Sequence, residues 1–237
     1  MKKTFKVSKL IADAGICSRR KAELLIKQGK VKLNNKILTN IPERASFEDS
    51  IKVNNEKIKF IKKIRLWKYN KPVGRLTTNY DPLDRKTIFD DFPKNFPRVV
   101  TIGRLDFNSE GLLLLTNSGS LSRYLELPKN SFTREYKVKV KGDINMEKLE
   151  KLKKGISIKG IKYKSINTKV LKKNKYYFWL KMQLTEGKNR EIRKIINFFG
   201  WHVLILQRIS YGPIKLGNLA KSKIEEINIK KYFKKIP

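Results

Sequence analysis

The sequence predicts an α+β protein in two parts. A small helix-helix-strand domain is expected over residues 1–61. A larger domain is expected over 62–237, with a mixed, mainly antiparallel central sheet flanked by helices. Three observations carry this reading. Residues 1–60 order two short helical patterns before two strand pairs with Asn-Asn turns. The rest is dominated by strand-like runs separated by single helical patterns. Length and a hydrophobic content of 40% suffice for one sizeable core and an accessory domain.

The elements follow in order. Leu10, Ile11 and Ala14 form one short helical face. Ser18 is a suitable N-cap for SRRKAELLIKQ, and Gly29 stands where a C′ glycine belongs. Ala22, Leu25 and Ile26 make the apolar side of that helix, leaving Arg19, Arg20, Lys21 and Lys27 on the other faces. Its first turn is cationic and offers free N–H groups, an arrangement suited to phosphate. VKLNNKIL and DSIKVNNEKIKF read as hairpins turning at Asn34-Asn35 and Asn54-Asn55. A basic connector, 59–65, leads to the strand RLWKYN and the turn KPVG. NYDPLDRKTIFDDFP is a loop with a short helix. RVVTI and LLLLT are strands around the loop GRLDFNSEG, and SGSLSRYLEL is a helix stopped by Pro128. REYKVKVKG alternates as a strand, and Asn145 and Gly155 bound a helix over NMEKLEKLKKG. Several strands fill 156–186. KNREIRKIINFFG is a helix opened by Arg190 and Arg193, with Ile192, Ile195, Ile196 and Phe199 as its buried stripe. HVLILQRISYG is a strand, and the final segment is expected to pack on the body.

Charge narrows the partner. The formal net charge is +35, from 56 basic and 21 acidic residues, so a polyanion is the expected partner. Lysine supplies 43 of those cations in a chain also rich in Ile and Asn, so the 13 arginines are the more informative ones. One Cys (Cys17) and one His (His202) exclude a disulfide framework and a Cys/His metal cluster. No metal and no organic cofactor are expected. Both residues are read as structural. The N-terminus lacks the features of a signal peptide and no apolar run reaches about 18 residues. No membrane association and a cytoplasmic location are therefore expected; a monomer is the expected state.

Three segments carry candidate chemistry. In GRLDFNSEG, Asp106 is either a cap for a tight curl between Gly103 and Gly111 or a reagent. Tyr136 in REYKVKV shares a strand face with Val138 and Val140. Arg190 and Arg193 stand at a helix start, where the dipole disfavours cations.

The first part, through KLIADAGICSRRKAELLIKQGKVKLNNK, resembles the small RNA-binding domain named after bacterial small-subunit ribosomal protein four. NKPVGRLTTNYDP, TIGRLDFNSEGLLLLTN, REYKVKV and LTEGKNREIRKIINFFG followed by RISYGPIKLG resemble, nearly end to end, the RluB/RsuA group of pseudouridine synthases. Ser109 stands where that family usually has Thr. Glu110 replaces a small residue and adds negative charge near Asp106. The resemblance implies isomerisation of a uridine in ribosomal RNA. In it Asp106 is the catalytic carboxylate, Tyr136 the ring stacked on the base, and Arg193 the partner of Asp106. A neighbouring arginine keeps such an acid ionised and oriented. Arg19, Arg20, Lys21, Arg104 and Arg190 are expected to bind RNA, with Arg104 on the phosphate of the extruded nucleotide. Arg75, Arg123 and Arg134 extend the track. The large-subunit branch is the nearer resemblance. The alternatives are a small-subunit enzyme, a non-catalytic rRNA-binding or ribosome assembly factor, and, as a weak third, a DNA-binding protein.

Overall fold

A computed structural model describes residues 2–60 and 63–233. The expected domain boundary at 61/62 and the middle of the expected connector lie outside the described residues, as do 234–237. The chain divides into two compact units, Met1–Arg65 with Pro97–Val100 and Asn117–Gly119, and Leu66–Phe96 with Thr101–Thr116 and Ser120–Pro237.

The first unit contains β1 (Phe5–Lys6), α1 (Val7–Asp13), α2 (Arg19–Lys27), β2 (Val31–Leu33), β3 (Lys36–Ile37), β4 (Arg44–Ala45), β5 (Ile51–Val53) and β6 (Glu56–Lys57). Ser18 caps α2, its Oγ accepting the Lys21 N–H at 3.2 Å. Gly29 follows the helix with φ +67°. Both Asn-Asn pairs turn with positive φ at each residue, the type I′ geometry that matches strand twist. The sheet order is β3-β2-β5-β6. Val7, Leu10, Ile11, Ala22, Ile26, Val31 and Ile51 are buried in one core, leaving Arg19, Arg20 and Lys21 exposed. Cys17 is buried at its edge.

The second unit is built on β7 (Leu66–Lys71), all but the first residue of β8 (Val100–Ile102), β9 (Glu110–Thr116), all but the first residue of α3 (Gly119–Glu126), β10 (Arg134–Lys141), α4 (Met146–Lys153), β11 (Ile156–Ile158), β12 (Ile161–Tyr163), β13 (Asn167–Lys173), β14 (Tyr177–Leu184), α5 (Glu191–Phe198), β15 (His202–Tyr211), β16 (Ile214–Lys215) and β17 (Ile224–Ile227). The main sheet runs β13-β14-β10-β15-β9-β7-β17. All its named pairings are antiparallel except β15 with β9. That parallel seam has two register pairs, Gln207↔Glu110 and Arg208↔Gly111. Leu112 to Leu115 are all fully buried, so β9 is covered on both faces, which is why its sequence does not alternate. On one face of the β10–β14 half, Val138, Val140, Phe178, Leu180 and Met182 form a core with Leu149 and Leu152 of α4 and Ile192, Ile195 and Ile196 of α5. The final segment adds β17 to the β7 edge.

Two differences from the sequence reading bear on the site. Glu110 and Gly111 belong to β9 rather than to the loop before it. Arg190 precedes α5 instead of opening it: it is the N-cap residue, in the left-handed conformation with φ 50° and ψ 35°. A residue with positive φ cannot supply the first turn of a helix, so α5 begins only after Arg190.

Candidate active site

A cleft of about 880 Å³ opens in the second unit. Asp106, Arg104, Tyr136, Arg190 and Arg208 are among its lining residues. They come from the loop before β9, from β10, from the loop before α5 and from β15.

The loop before β9 is held by its backbone. Asp106 C=O accepts the Ser109 N–H at 3.0 Å, and Phe107 C=O accepts the Gly74 N–H at 3.0 Å. The Thr77 hydroxyl donates to Leu105 C=O at 2.8 Å. Gly74 has φ +84° and Gly103 φ +69°, conformations that glycine adopts without strain. The anchor is Lys71, the last residue of β7, whose side chain is fully buried. Its Nζ donates to Ser109 C=O at 2.8 Å, Pro72 C=O at 2.9 Å and Asp106 C=O at 3.2 Å. Three carbonyls match the three donors of an ammonium. Burial pushes that ammonium down to about 8, with the Asp106 and Glu110 charges opposing the shift. Sequence reasoning missed Lys71. Among 43 lysines, nothing but its place before Pro72 at the end of a strand marks one as internal.

Among the described residues the Asp106 carboxylate faces a cation. Its ion-pair partner is Arg190, Nη1 to Oδ2 at 3.8 Å. Arg193, expected as the partner of Asp106, lies within reach of its charge and touches the same loop. Arg193 Nη2 donates to Asn108 C=O at 2.7 Å, so Arg193 braces the same loop through its backbone. Burial lowers the Arg193 guanidinium first and neighbouring Arg190 next, while Asp106 opposes them. The position of the helix start sets how the two arginines are placed. With Arg190 outside α5 in a left-handed turn, its side chain reaches the acid, and Arg193 lies one turn inside. Glu110, the extra charge beside the acid, is taken up by Lys221 Nζ at 2.8 Å.

Tyr136 is half-buried, packed against the core while lining the cleft. Directly opposite it across the ladder stands Arg208. Arg208 is 2% exposed; its Nε donates to Leu112 C=O at 2.6 Å, and its Nη2 has no partner among the described residues. Arg104 is exposed on the cleft. Two expected track residues are otherwise engaged: Arg75 Nε donates to Asp91 at 2.8 Å, and Arg134 donates to the Tyr211 hydroxyl at 2.7 Å and Thr185 C=O at 3.2 Å. Arg123 is exposed on α3. No helix among the described residues is long and apolar enough to cross a membrane.

A carboxyl pair lies beside Arg190. Burial pushes Glu191 up to about 7, while the Lys188 N–H bonded to its Oε2 works against that and neighbouring Glu186 adds to it. Burial also raises Glu186, but Lys188, the Lys164 N–H and Glu191 outweigh it and hold Glu186 below the usual carboxylate range. Between about 4.5 and about 7 the folded chain therefore holds a proton on Glu191 that the unfolded chain releases. Stability from this group is present at low pH and declines as pH rises through that window. Glu191→Gln, which keeps the shape without the charge, is expected to raise stability at pH ~8 by on the order of 1–3 kcal/mol and to change little at pH ~5. Urea unfolding at the two pH values checks this; equal shifts at both would show that charge is not the cause.

Residues 65–198 match the family model described as RNA pseudouridylate synthase, and residues 6–51 match the S4 domain model. The chain is 44% identical over 232 residues to a Rickettsia typhi protein named as an uncharacterized RNA pseudouridine synthase, covering 98% of this chain and 95% of that one. It is 37% identical over 225 residues to ribosomal large subunit pseudouridine synthase B of Bacillus subtilis, covering 94% and 91%. A crystal structure of a pseudouridylate synthase superposes with a TM-score of 0.68 at 24% identity, over 96% of this chain and 98% of that one.

Proposed function

The chain belongs to the RNA pseudouridylate synthase family, and on that premise we propose that this RNA pseudouridine synthase isomerises a uridine of large-subunit (23S) ribosomal RNA. The observation that carries the choice of RNA is the 37% identity, over 94% of this chain, to a protein named for the large subunit.

The reaction breaks the N1–C1′ bond, turns the base and joins C5 to C1′. The proton on C5 is lost and N1 regains one, so atoms balance without an oxidant or a co-substrate. Asp106 is the carboxylate that acts at the sugar, as a base or a nucleophile. Support comes from its place in a cleft, on a loop held independently of its own side chain, beside a guanidinium 3.8 Å away. Arg190 orients the acid, and Arg193 braces its loop. Tyr136 stacks on the extruded base and offsets part of the few kcal/mol that extrusion costs. Arg19, Arg20 and Lys21 at the start of α2 bind phosphate in the S4 domain.

Arg104 contacts a phosphate of the target nucleotide. Arg104→Ala is expected to weaken RNA binding and to lower the slope of log affinity against log salt by about one unit, read by titration at several ionic strengths. An unchanged slope rejects that contact.

The experiment that tests the substrate is release of tritium from C5-labelled uridine in transcripts of large- and small-subunit rRNA. Release from the large-subunit transcript alone is the expected result. Release from the small-subunit transcript alone moves the assignment to that branch, and release from neither, with binding retained, favours an assembly factor.

A further inference from the structure

The β10–β14–β13 half of the main sheet has helices α4 and α5 on its core face. Its other face carries none of the core residues. There the register places Lys169, Lys181 and Lys137 side by side across three neighbouring strands. The adjacent row is Lys172, Trp179 and Lys139. Five lysines thus share a small area with one carboxylate, Glu135, which bridges Lys181 at 2.9 Å.

Like charges directly opposite one another destabilise a sheet. A row of three across a central strand is therefore a standing cost in the free protein. A solvated face only needs lysines alternating with polar or acidic residues. Two of the long side chains are also held in place by rings. Lys137 Nζ lies 4.8 Å from the Trp179 ring centroid and Lys139 Nζ lies 3.9 Å over Tyr177. Lys137, Lys169 and Lys172 are exposed. Fixed ammonium groups lose less freedom on meeting a ligand than mobile ones.

We propose that this sheet face is a second RNA-binding surface, apart from the catalytic cleft, which takes the phosphate backbone of the substrate RNA. The occupant follows from charge. The face is cationic on a rigid platform, compact ammonium groups suit phosphate oxygens, and the enzyme's substrate is a polyanion far longer than its target nucleotide. The proposal rests on the reading of the chain as a ribosomal RNA enzyme. The surface contributes affinity and no chemistry.

The test is the full chain carrying Lys137→Gln, Lys169→Gln and Lys172→Gln together. Its control carries Lys151→Gln, Lys153→Gln and Lys154→Gln, three lysines at the end of α4 that remove the same charge. Binding to a large-subunit rRNA transcript is titrated over a range of salt. The sheet variant is expected to lose about 2–3 units of salt slope and bind about tenfold or more weakly at ~0.1 M salt. The control is expected to lose less than about one unit. In the isomerisation assay KM should rise while kcat at saturating RNA stays at the wild-type value. A sheet variant whose slope and KM match those of the control overturns the surface while leaving the isomerase reading intact. A wild-type chain that neither binds nor modifies ribosomal RNA removes both.

Discussion

Asp106→Asn is expected to lower isomerisation by at least about 10³-fold while leaving RNA affinity within about twofold of wild type. The amide has the shape of the carboxylate but can neither take a proton at neutral pH nor attack carbon. The fold of the loop does not depend on the lost charge. Its anchors are the Lys71 ammonium on three carbonyls, the Asp106 C=O to Ser109 N–H bond and Arg193 on Asn108 C=O. The group released by the change is Arg190, which is free to meet RNA phosphate, so affinity has no reason to fall. Tritium release and binding measured on the same preparation separate the two effects. Activity within tenfold of wild type would remove Asp106 from the chemistry. A parallel loss of affinity would make it a structural residue.

Gly111→Ala is expected to cost a large share of the folding free energy. A Cβ at that position would lie 2.3 Å from the Arg208 backbone oxygen and 2.9 Å from its nitrogen. The φ of +98° is itself strained for alanine. Overpacking and backbone strain each cost about 1–3 kcal/mol, against a total stability of about 5–15 kcal/mol. The clash is with main chain, so no rotamer change relieves it. It falls on one of the two register pairs that join β9 to β15. Prying that seam apart moves the Asp106 loop away from Tyr136 and Arg208, which lie across it. Urea unfolding should show a fall of several kcal/mol, and any folded fraction should have lost activity. A near-neutral midpoint would mean that the seam is more elastic than its contacts indicate.

Local chemistry is where the sequence was most legible. Ser18 and Asn145 as caps, Gly29 and Gly155 as stops and the two Asn-Asn turns depend on residues within a few positions of one another. The apolar stripe of Ile192, Ile195 and Ile196 was equally readable, since a helix repeats its faces at a fixed period. The start of α5 was not. A single residue moved across a helix boundary turns its side chain by about 100° and can leave helical geometry altogether. That is why the contact of Arg190 with the acid was not foreseen.

Lys71 and Glu191 were hidden for another reason. Their types favour the surface, and burial is set by carbonyls and apolar groups supplied from distant segments. By itself, the sequence determined the element types, the caps and turns, the two-part α+β plan and the loop that bears the acid, all consequences of periodicity and short-range hydrogen bonding. Tertiary structure alone decided which cation faces Asp106, which lysine is internal and which lysines stand in a row. Those are outcomes of register and helix phase, and they arise from packing between segments far apart in the chain.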